Sequence, residues 1–343
     1  MTKDGLRRNN FRVKDLDVSG VATGNIANTI MTCGKTWYVD GDVTASGDGT
    51  TWSEAFKTIQ EGIDATSADD VVYVASKKIT DYTSDPTSYA ETLIIPFASA
   101  GMALVGVSRG RTQGGLPQVK KGSGSTALLT IRAPGCLIAN MGFNGSSSTG
   151  GGILLDDDYA AKAAFGTTIA NCHFKNCVVT TAHLETGGAI YTTSAGNAWQ
   201  LLVTGCRFYK NECDICLVGT GTTVPQDWVI EDCIFSGPAA NTDCNLFLKG
   251  GGSGINGLYI NRCIFPALPA LSAGTVKRFG DLTGCIGIMS DCRFGAQSAA
   301  TSGTRLTWIA AGTAMLIPAT VFMSNNYGIS ITASENSIIT SSA

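Results

Sequence analysis

One short pattern recurs through the middle of the chain and limits what the chain can fold into. An aliphatic residue, any residue, a small polar residue, cysteine, any residue and phenylalanine follow one another in Ile169-Ala-Asn171-Cys172-His173-Phe174, Val203-Thr-Gly205-Cys206-Arg207-Phe208 and Ile230-Glu-Asp232-Cys233-Ile234-Phe235. Met289-Ser-Asp291-Cys292-Arg293-Phe294 starts on methionine, and Ile260-Asn-Arg262-Cys263-Ile264-Phe265 has arginine in place of the small polar residue. Ile138-Ala-Asn140-Met141-Gly142-Phe143 is a sixth copy with methionine in the cysteine position. Positions 141, 172, 206, 233, 263 and 292 are separated by 31, 34, 27, 30 and 29 residues. A near-constant period of this size means stacked structural repeats. The units are short, β-branched and glycine-rich, with no helical period between them, which predicts a parallel β-solenoid with one motif per coil.

The motif makes local sense in that frame. Cysteine and phenylalanine lie two residues apart and so face the same side of a strand, while the residue between them points out. Asn, Gly and Asp tolerate left-handed backbone, so the position before the cysteine reads as a tight bend between two strands; Arg262 departs from this. Coils stacked about 4.8 Å apart would place Cys172, Cys206, Cys233, Cys263 and Cys292 in one column. Phe143, Phe174, Phe208, Phe235, Phe265 and Phe294 would form another. A free cysteine packs as a small hydrophobe, so the motif reads as core packing rather than as a reactive centre.

Composition agrees. Charged residues make up 15% of the 343 residues and glycine supplies 42, as expected of a β-rich, turn-rich protein. The net charge of −3 and the absence of a basic run argue against nucleic acid as a partner, Arg7-Arg8 being too short to count as a patch. The first twenty residues hold no continuous apolar segment of the secretory kind. No run of 18 apolar residues is present to cross a membrane. The expectation is a protein made in a reducing cytoplasm, its twelve cysteines thiols rather than bridges.

Before the repeats, Trp37-Tyr-Val39 reads as a strand and GDVTASGDGT as a loop. Thr51-x-x-Glu54 reads as a capping box, with Phe56, Ile59 and Ile63 at helical spacing after it, predicting an amphipathic helix over about 51–65. Asp70–Ala75, Glu91–Pro96 and Met102–Val107 read as further strands. In this order the segments resemble the opening of the pectate-lyase-like right-handed parallel β-helix superfamily, and the likeness runs over about residues 36–300. It implies an all-β, right-handed parallel β-helix at 35–300, its N-terminal end plugged by the helix. It is specific for fold and poor for activity, because this fold hosts lyases, hydrolases, adhesins and virion spikes.

Residues 1–34 differ: Phe11, Val13, Leu16 and Val18 alternate weakly between polar residues, as in an extended arm. An arm before a β-helix, without a secretion signal, resembles a phage virion protein that attaches to its particle by the N-terminus. Residues 301–343 hold an apolar run, Ala314 to Phe322, and a Ser/Thr-rich tail, expected to cap the solenoid or to form an oligomer contact. The resemblance implies a parallel homotrimer.

Chemistry of the kinds this fold supports is sparse in the sequence. A lyase site needs clustered carboxylates for calcium and a basic residue; Asp156-Asp157-Asp158 is the densest acidic run and reads as a solvated loop. A glycosidase needs two carboxylates on one exposed face. Among Glu185, Asp214, Asp227, Glu231 and Asp281, the best pair is Glu185 with Asp214, about one coil apart. His173 and His183 enter no Ser/His/Asp arrangement. Cys213-Asp-Ile-Cys216 lacks the second pair of a zinc site, and the glycines at 150–152 and 250–252 lack the Lys-Ser/Thr of a phosphate loop. No cofactor or metal is expected. These observations favour a non-enzymatic phage virion protein, a capsid decoration or head-fibre component, whose partners are the capsid or another virion protein. A tailspike-like depolymerase acting on host surface glycan is the alternative, and a bacterial surface adhesin the third reading.

Overall fold

The computed structural model describes residues 34–78, 88–107, 115–120, 126–146, 150–156, 164–179, 187–192, 198–217, 225–236, 244–248, 254–266, 278–294, 315–329 and 336–338. The expected attachment arm with Phe11, Val13, Leu16 and Val18 lies outside them, as do Glu185 and His183.

Successive coils visit three sheets in turn. Sheet 1 has ten strands: Thr36–Val39, Val71–Ala75, Ala103–Val107, Leu137–Ala139, Thr168–Ala170, Leu202–Thr204, Val229–Glu231, Asn256–Asn261, Ile286–Ser290 and Val321–Ser324. Sheet 2 runs from Gln118–Lys120 through Gly142–Asn144, His173–Lys175, Arg207–Tyr209, Ile234–Ser236, Ile264–Phe265 and Arg293–Phe294 to Tyr327–Ile329. Sheet 3 holds Leu93–Ile95, Leu129–Ile131, Ile153–Leu155, Ile190–Thr192, Ile215–Cys216, Cys244–Phe247, Arg278–Asp281 and Met315–Leu316. Every described pairing between coils is parallel; the one antiparallel partner is Asn336–Ile338, which closes sheet 2 on Tyr327–Ile329. Parallel strands joined through crossovers take the right-handed sense, and the chain is a right-handed parallel β-helix.

The corner between sheets 1 and 2 is the predicted bend. Asn140, Asn171, Gly205, Asp232, Asp291 and Asn325 all have φ between 51° and 64°, the left-handed region that Asn, Asp and Gly enter at least cost. Arg262 adopts it too, at φ 50°. Its guanidinium reaches the coil before, donating through Nε and Nη2 to both carboxylate oxygens of Asp232 at 2.7 Å and through Nη2 to Glu231 at 3.2 Å. A paired, bidentate geometry of this kind offsets the cost of a long side chain at that corner. A second left-handed column, which the motif did not reveal, leads into sheet 1: Gly101, Gly135, Gly166, Gln200, Asp227 and Gly257. Its last five members each precede the Met or Cys of the motif by six residues.

Inside, rings and sulfurs stack as two columns. Phe143, Phe174, Phe208, Phe235, Phe265 and Phe294 lie with centroids 4.8–5.2 Å apart and planes within 13° of parallel. Cys172, Cys206, Cys233, Cys263 and Cys292 are buried and free. Each thiol lies 3.2–3.5 Å from the carbonyl oxygen two residues before it, as a donor. Burial pushes the thiols of Cys206, Cys233 and Cys263 far above their ordinary range, and those of Cys136 and Cys285 up to about 12.

Two boundaries differ from the sequence expectation. The plugging helix α1 spans Ile59–Asp64, and its capping box is Thr58 with Glu61, not Thr51 with Glu54. Phe56 is instead held extended: its N–H donates to the Tyr38 carbonyl and its own carbonyl accepts from Asp40 N–H, a parallel bridge against Val39 that a helix starting at 51 would break. The solenoid also continues past residue 300. Val321–Ser324, Asn325 and Tyr327–Ile329 repeat the strand, bend and strand, with Asn326 in the cysteine position. There Asn326 accepts from Cys292 N–H at 2.9 Å and donates to the Met289 carbonyl at 2.8 Å. An amide thus completes the buried backbone bonding where the thiol column ends.

Truncating the middle of the ring column, Phe208→Ala or Phe235→Ala, removes a ring stacked on both sides and should cost about 3–5 kcal/mol in urea unfolding. Arg207→Ala, on the exposed residue between column members, should stay within about 0.5 kcal/mol. Thiol titration should find the buried cysteines unreactive in the native protein and free after unfolding without reductant; several disulfides would contradict the packing.

Candidate functional site

The three outer faces of the solenoid differ in chemistry. On sheet 3 the outward residues of successive coils are Ile94, Thr130, Leu154, Tyr191, Cys216, Phe247 and Asp281. From Thr130 onward all but half-buried Leu154 are buried despite pointing away from the core. Tyr191, Cys213, Cys216, Phe247 and Ala127 form a small apolar cluster of their own, with Leu154 and Val179 against it. The Tyr191 hydroxyl donates to the Gly150 carbonyl at 2.9 Å. Cys213 and Cys216 therefore belong to packing, and among the described residues no group of three or more His, Cys, Asp or Glu gathers as metal ligands.

On sheet 2 the outward positions carry Lys120, His173, Lys175, Arg207 and Arg293, with Ile234 and Ile264 between the two arginines. None of the sheet-2 strands contains Asp or Glu. Burial, helped by Lys175 and Arg207, pulls the His173 imidazole down to about 4, so it is neutral at physiological pH. The chain is acidic overall, yet one side of it is basic; the fold collects in space charges that the sequence spreads over coils.

The carboxylates singled out in the sequence lie in several different places. Asp214 is fully interior, held between two amides: Asn211 donates to Oδ1 at 2.9 Å and Asn245 to Oδ2 at 2.6 Å. Burial pushes its carboxyl up to about 8, against the two amide bonds that favour the charged form. The Asn245 carbonyl oxygen has no partner. Turning that amide over places its oxygen against a protonated Asp214, and 2.6 Å suits an O–H···O bond. Asp156 is buried and paired with Arg132 Nε at 2.8 Å; Asp157 and Asp158 lie outside the described residues. Asp281 accepts from the N–H and hydroxyl of Thr283 at 3.0 and 2.6 Å. Glu231 and Asp232 bind Arg262, and Asp227 occupies a left-handed corner. At the N-terminal end a cavity of about 400 Å³ is lined by Asp40, Asp42, Ser76 and Lys78 with Val43, Ala75 and Val107. Its acids are turned toward backbone: Asp40 accepts from Asp42 N–H and Asp42 from Lys78 N–H.

No family model and no curated protein matches the sequence. Solved structures share the architecture. ORF18 of Geobacillus virus E2 is 12% identical over 85% of this chain and 60% of its own, with a TM-score of 0.44. The GH136 lacto-N-biosidase from Eubacterium ramulus is 10% identical over 86% of this chain and 56% of its own, also at 0.44. A rhamnogalacturonan lyase is 13% identical over 89% and 90%, at 0.43. The chain thus spans less than two thirds of the length of the first two. The fold is the pectate-lyase-like parallel β-helix. The solenoid's own three parallel sheets and left-handed corners decide that, and likeness at this level of identity carries no chemistry with it. Among the described residues no helix is long and apolar enough to cross a membrane.

Asp214 gives a pH dependence of definite sign. Its carboxyl titrates near 4 when unfolded and at about 8 when folded. The stability it contributes is complete below pH 4, declines as pH rises, and is lost above about 8. Urea midpoints of the wild type should therefore fall between pH 5 and 8 relative to Asp214→Asn, which keeps the amide contacts without the proton. Parallel curves for the two proteins would refute the assignment.

Proposed function

We propose that this chain is a non-enzymatic structural protein of a phage particle, a capsid decoration or head-fibre component. Residues 1–34 dock on the shell and the β-helix projects from it. The observation that carries the reading is how the carboxylates are employed. Asp156 anchors Arg132, Asp214 joins Asn211 to Asn245 across coils, Asp281 caps Thr283, and Glu231 with Asp232 support Arg262 at a corner. Acids committed to holding coils and corners describe a scaffold. A stack of parallel coils with a ring column through its core is a stiff body suited to projection. The segment before it has another composition and no place in the repeat, as expected of an attachment arm.

The partners under this reading are the shell protein and further copies of the chain. Host surface glycan is a secondary partner if the projecting end reaches the cell. Deleting residues 1–34 should leave a folded solenoid, with an unchanged far-ultraviolet spectrum, that no longer joins particles. Full occupancy of particles by the truncated protein would overturn the docking role. Release of oligosaccharides from capsular or O-antigen polysaccharide by the full chain would overturn the non-enzymatic one.

A further inference from the structure

The outer face of sheet 1 is dressed unlike the other two. Its first outward column, followed coil by coil from the middle of the solenoid, is Leu137, Thr168, Leu202, Val229, Tyr259, Ile288 and Phe322. No charged residue occurs in it. Exposure peaks at the C-terminal end, where Ile288 is 44% and Phe322 67% exposed, with Ile286 beside them at 49%. At the entry corner of the same sheet stand Phe165 and Trp199, also exposed, on adjacent coils linked by the Gly166 N–H to Trp199 carbonyl bond. Five of the nine large apolar side chains exposed among the described residues thus lie on one side of the solenoid.

We propose that this face is the surface on which copies of this chain pack against one another, side by side along their axes. The inference rests on the assembly part of the proposed function and names its contact surface. Three observations select a second copy as the occupant. First, the other two faces do not serve. Sheet 2 presents Lys120, Lys175, Arg207 and Arg293 without a strand acid, so two such faces repel, and the outward residues of sheet 3 are already buried from Thr130 onward apart from half-buried Leu154. The first outward column carries no charge, and the one acid in the sheet-1 strands, Glu231 in the second outward column, is paired with Arg262, so two such faces meet at little Coulomb cost. Second, the column repeats at the coil spacing of about 4.8 Å, and a second solenoid of the same rise can meet it rung for rung over some 29 Å.

Third, the area fits. At about 200 Å² per large side chain, the five exposed residues leave on the order of 500 Å² of apolar surface to water, the upper end of what a monomer carries. The half-buried Leu137, Leu202, Val229 and Tyr259 and a polar rim bring the face toward the roughly 800 Å² per partner of a standard interface.

The test is sedimentation velocity on the purified full chain, with no particles present. The wild type at about 10 μM should sediment as an oligomer. Phe322→Lys combined with Ile288→Lys should sediment as a monomer with unchanged circular dichroism. Ile264→Lys on sheet 2 should keep the wild-type state. Should the double lysine variant misfold, Phe322→Ser alone should still weaken association at least tenfold. A monomeric wild type, or an oligomer that survives these substitutions, overturns the proposal. Particle occupancy, measured separately, tests the docking reading: a monomeric variant that still joins shells through residues 1–34 would leave docking intact and show that self-association is not needed for it.

Discussion

Parallel backbone pairing between one coil and the next is the constraint on which the rest of this protein depends. Because the amide and carbonyl groups of each coil bond to its neighbours, equivalent residues are superimposed about 4.8 Å apart, and a side chain meets mainly its counterparts above and below. A position that suits one coil must therefore suit all. Flat rings tolerate this repetition best, since the coil spacing is close to the stacking distance of aromatic rings, and the six phenylalanines take up that spacing with nearly parallel planes. A thiol beside each ring is small enough to recur without strain and can donate to the carbonyl two residues before it, which also accepts from the corner N–H of the coil before.

The same constraint explains the exceptions. A left-handed corner falls at the same place in every coil, so a residue other than Asn, Asp or Gly there needs compensation. Arg262 obtains it from Asp232 one coil earlier, a partner that exists only because corners stack. Asn326 shows the converse. At the last described corner the thiol is replaced by an amide, which bonds to Cys292 and Met289 in the coil below. Asp214 extends the logic to charge: it lies between the Asn211 amide of its own coil and the Asn245 amide of the next, and interior burial keeps it neutral at physiological pH.

The outward positions are released from that rule, and there the three faces diverge into an apolar, a basic and a covered side. Together they describe a body that sorts its contacts by direction. The proposed attachment uses the chain before the solenoid, and the proposed self-association uses one side of it. The interior chemistry serves cohesion.

Much of the fold was legible in the sequence because the solenoid writes itself as a period. The Cys-x-Phe spacing placed the inner columns, the left-handed bend and the coil boundaries, since alternation along a strand and the conformational freedom of Asn, Asp and Gly are local properties. The second column of left-handed residues was equally local, six residues before each Met or Cys from Gly135 to Gly257; three of those five positions are glycine, a series that Gln200 and Asp227 interrupt. The start of α1 was not legible, because Thr51-x-x-Glu54 and Thr58-x-x-Glu61 are equivalent as local caps and only the bridge of Phe56 to Val39 chooses between them. The candidate acids were legible as residues and not as sites: burial of Asp214, pairing of Asp156 and the grip of Arg262 on Asp232 are contacts between coils some 30 residues apart. The sequence by itself determined the repeat, the inward columns and the bends. Only the tertiary structure decided that a net-acidic chain has a basic side and another side whose first outward column is apolar and uncharged, because stacking the coils brings into one column single outward residues that the sequence holds a full turn apart.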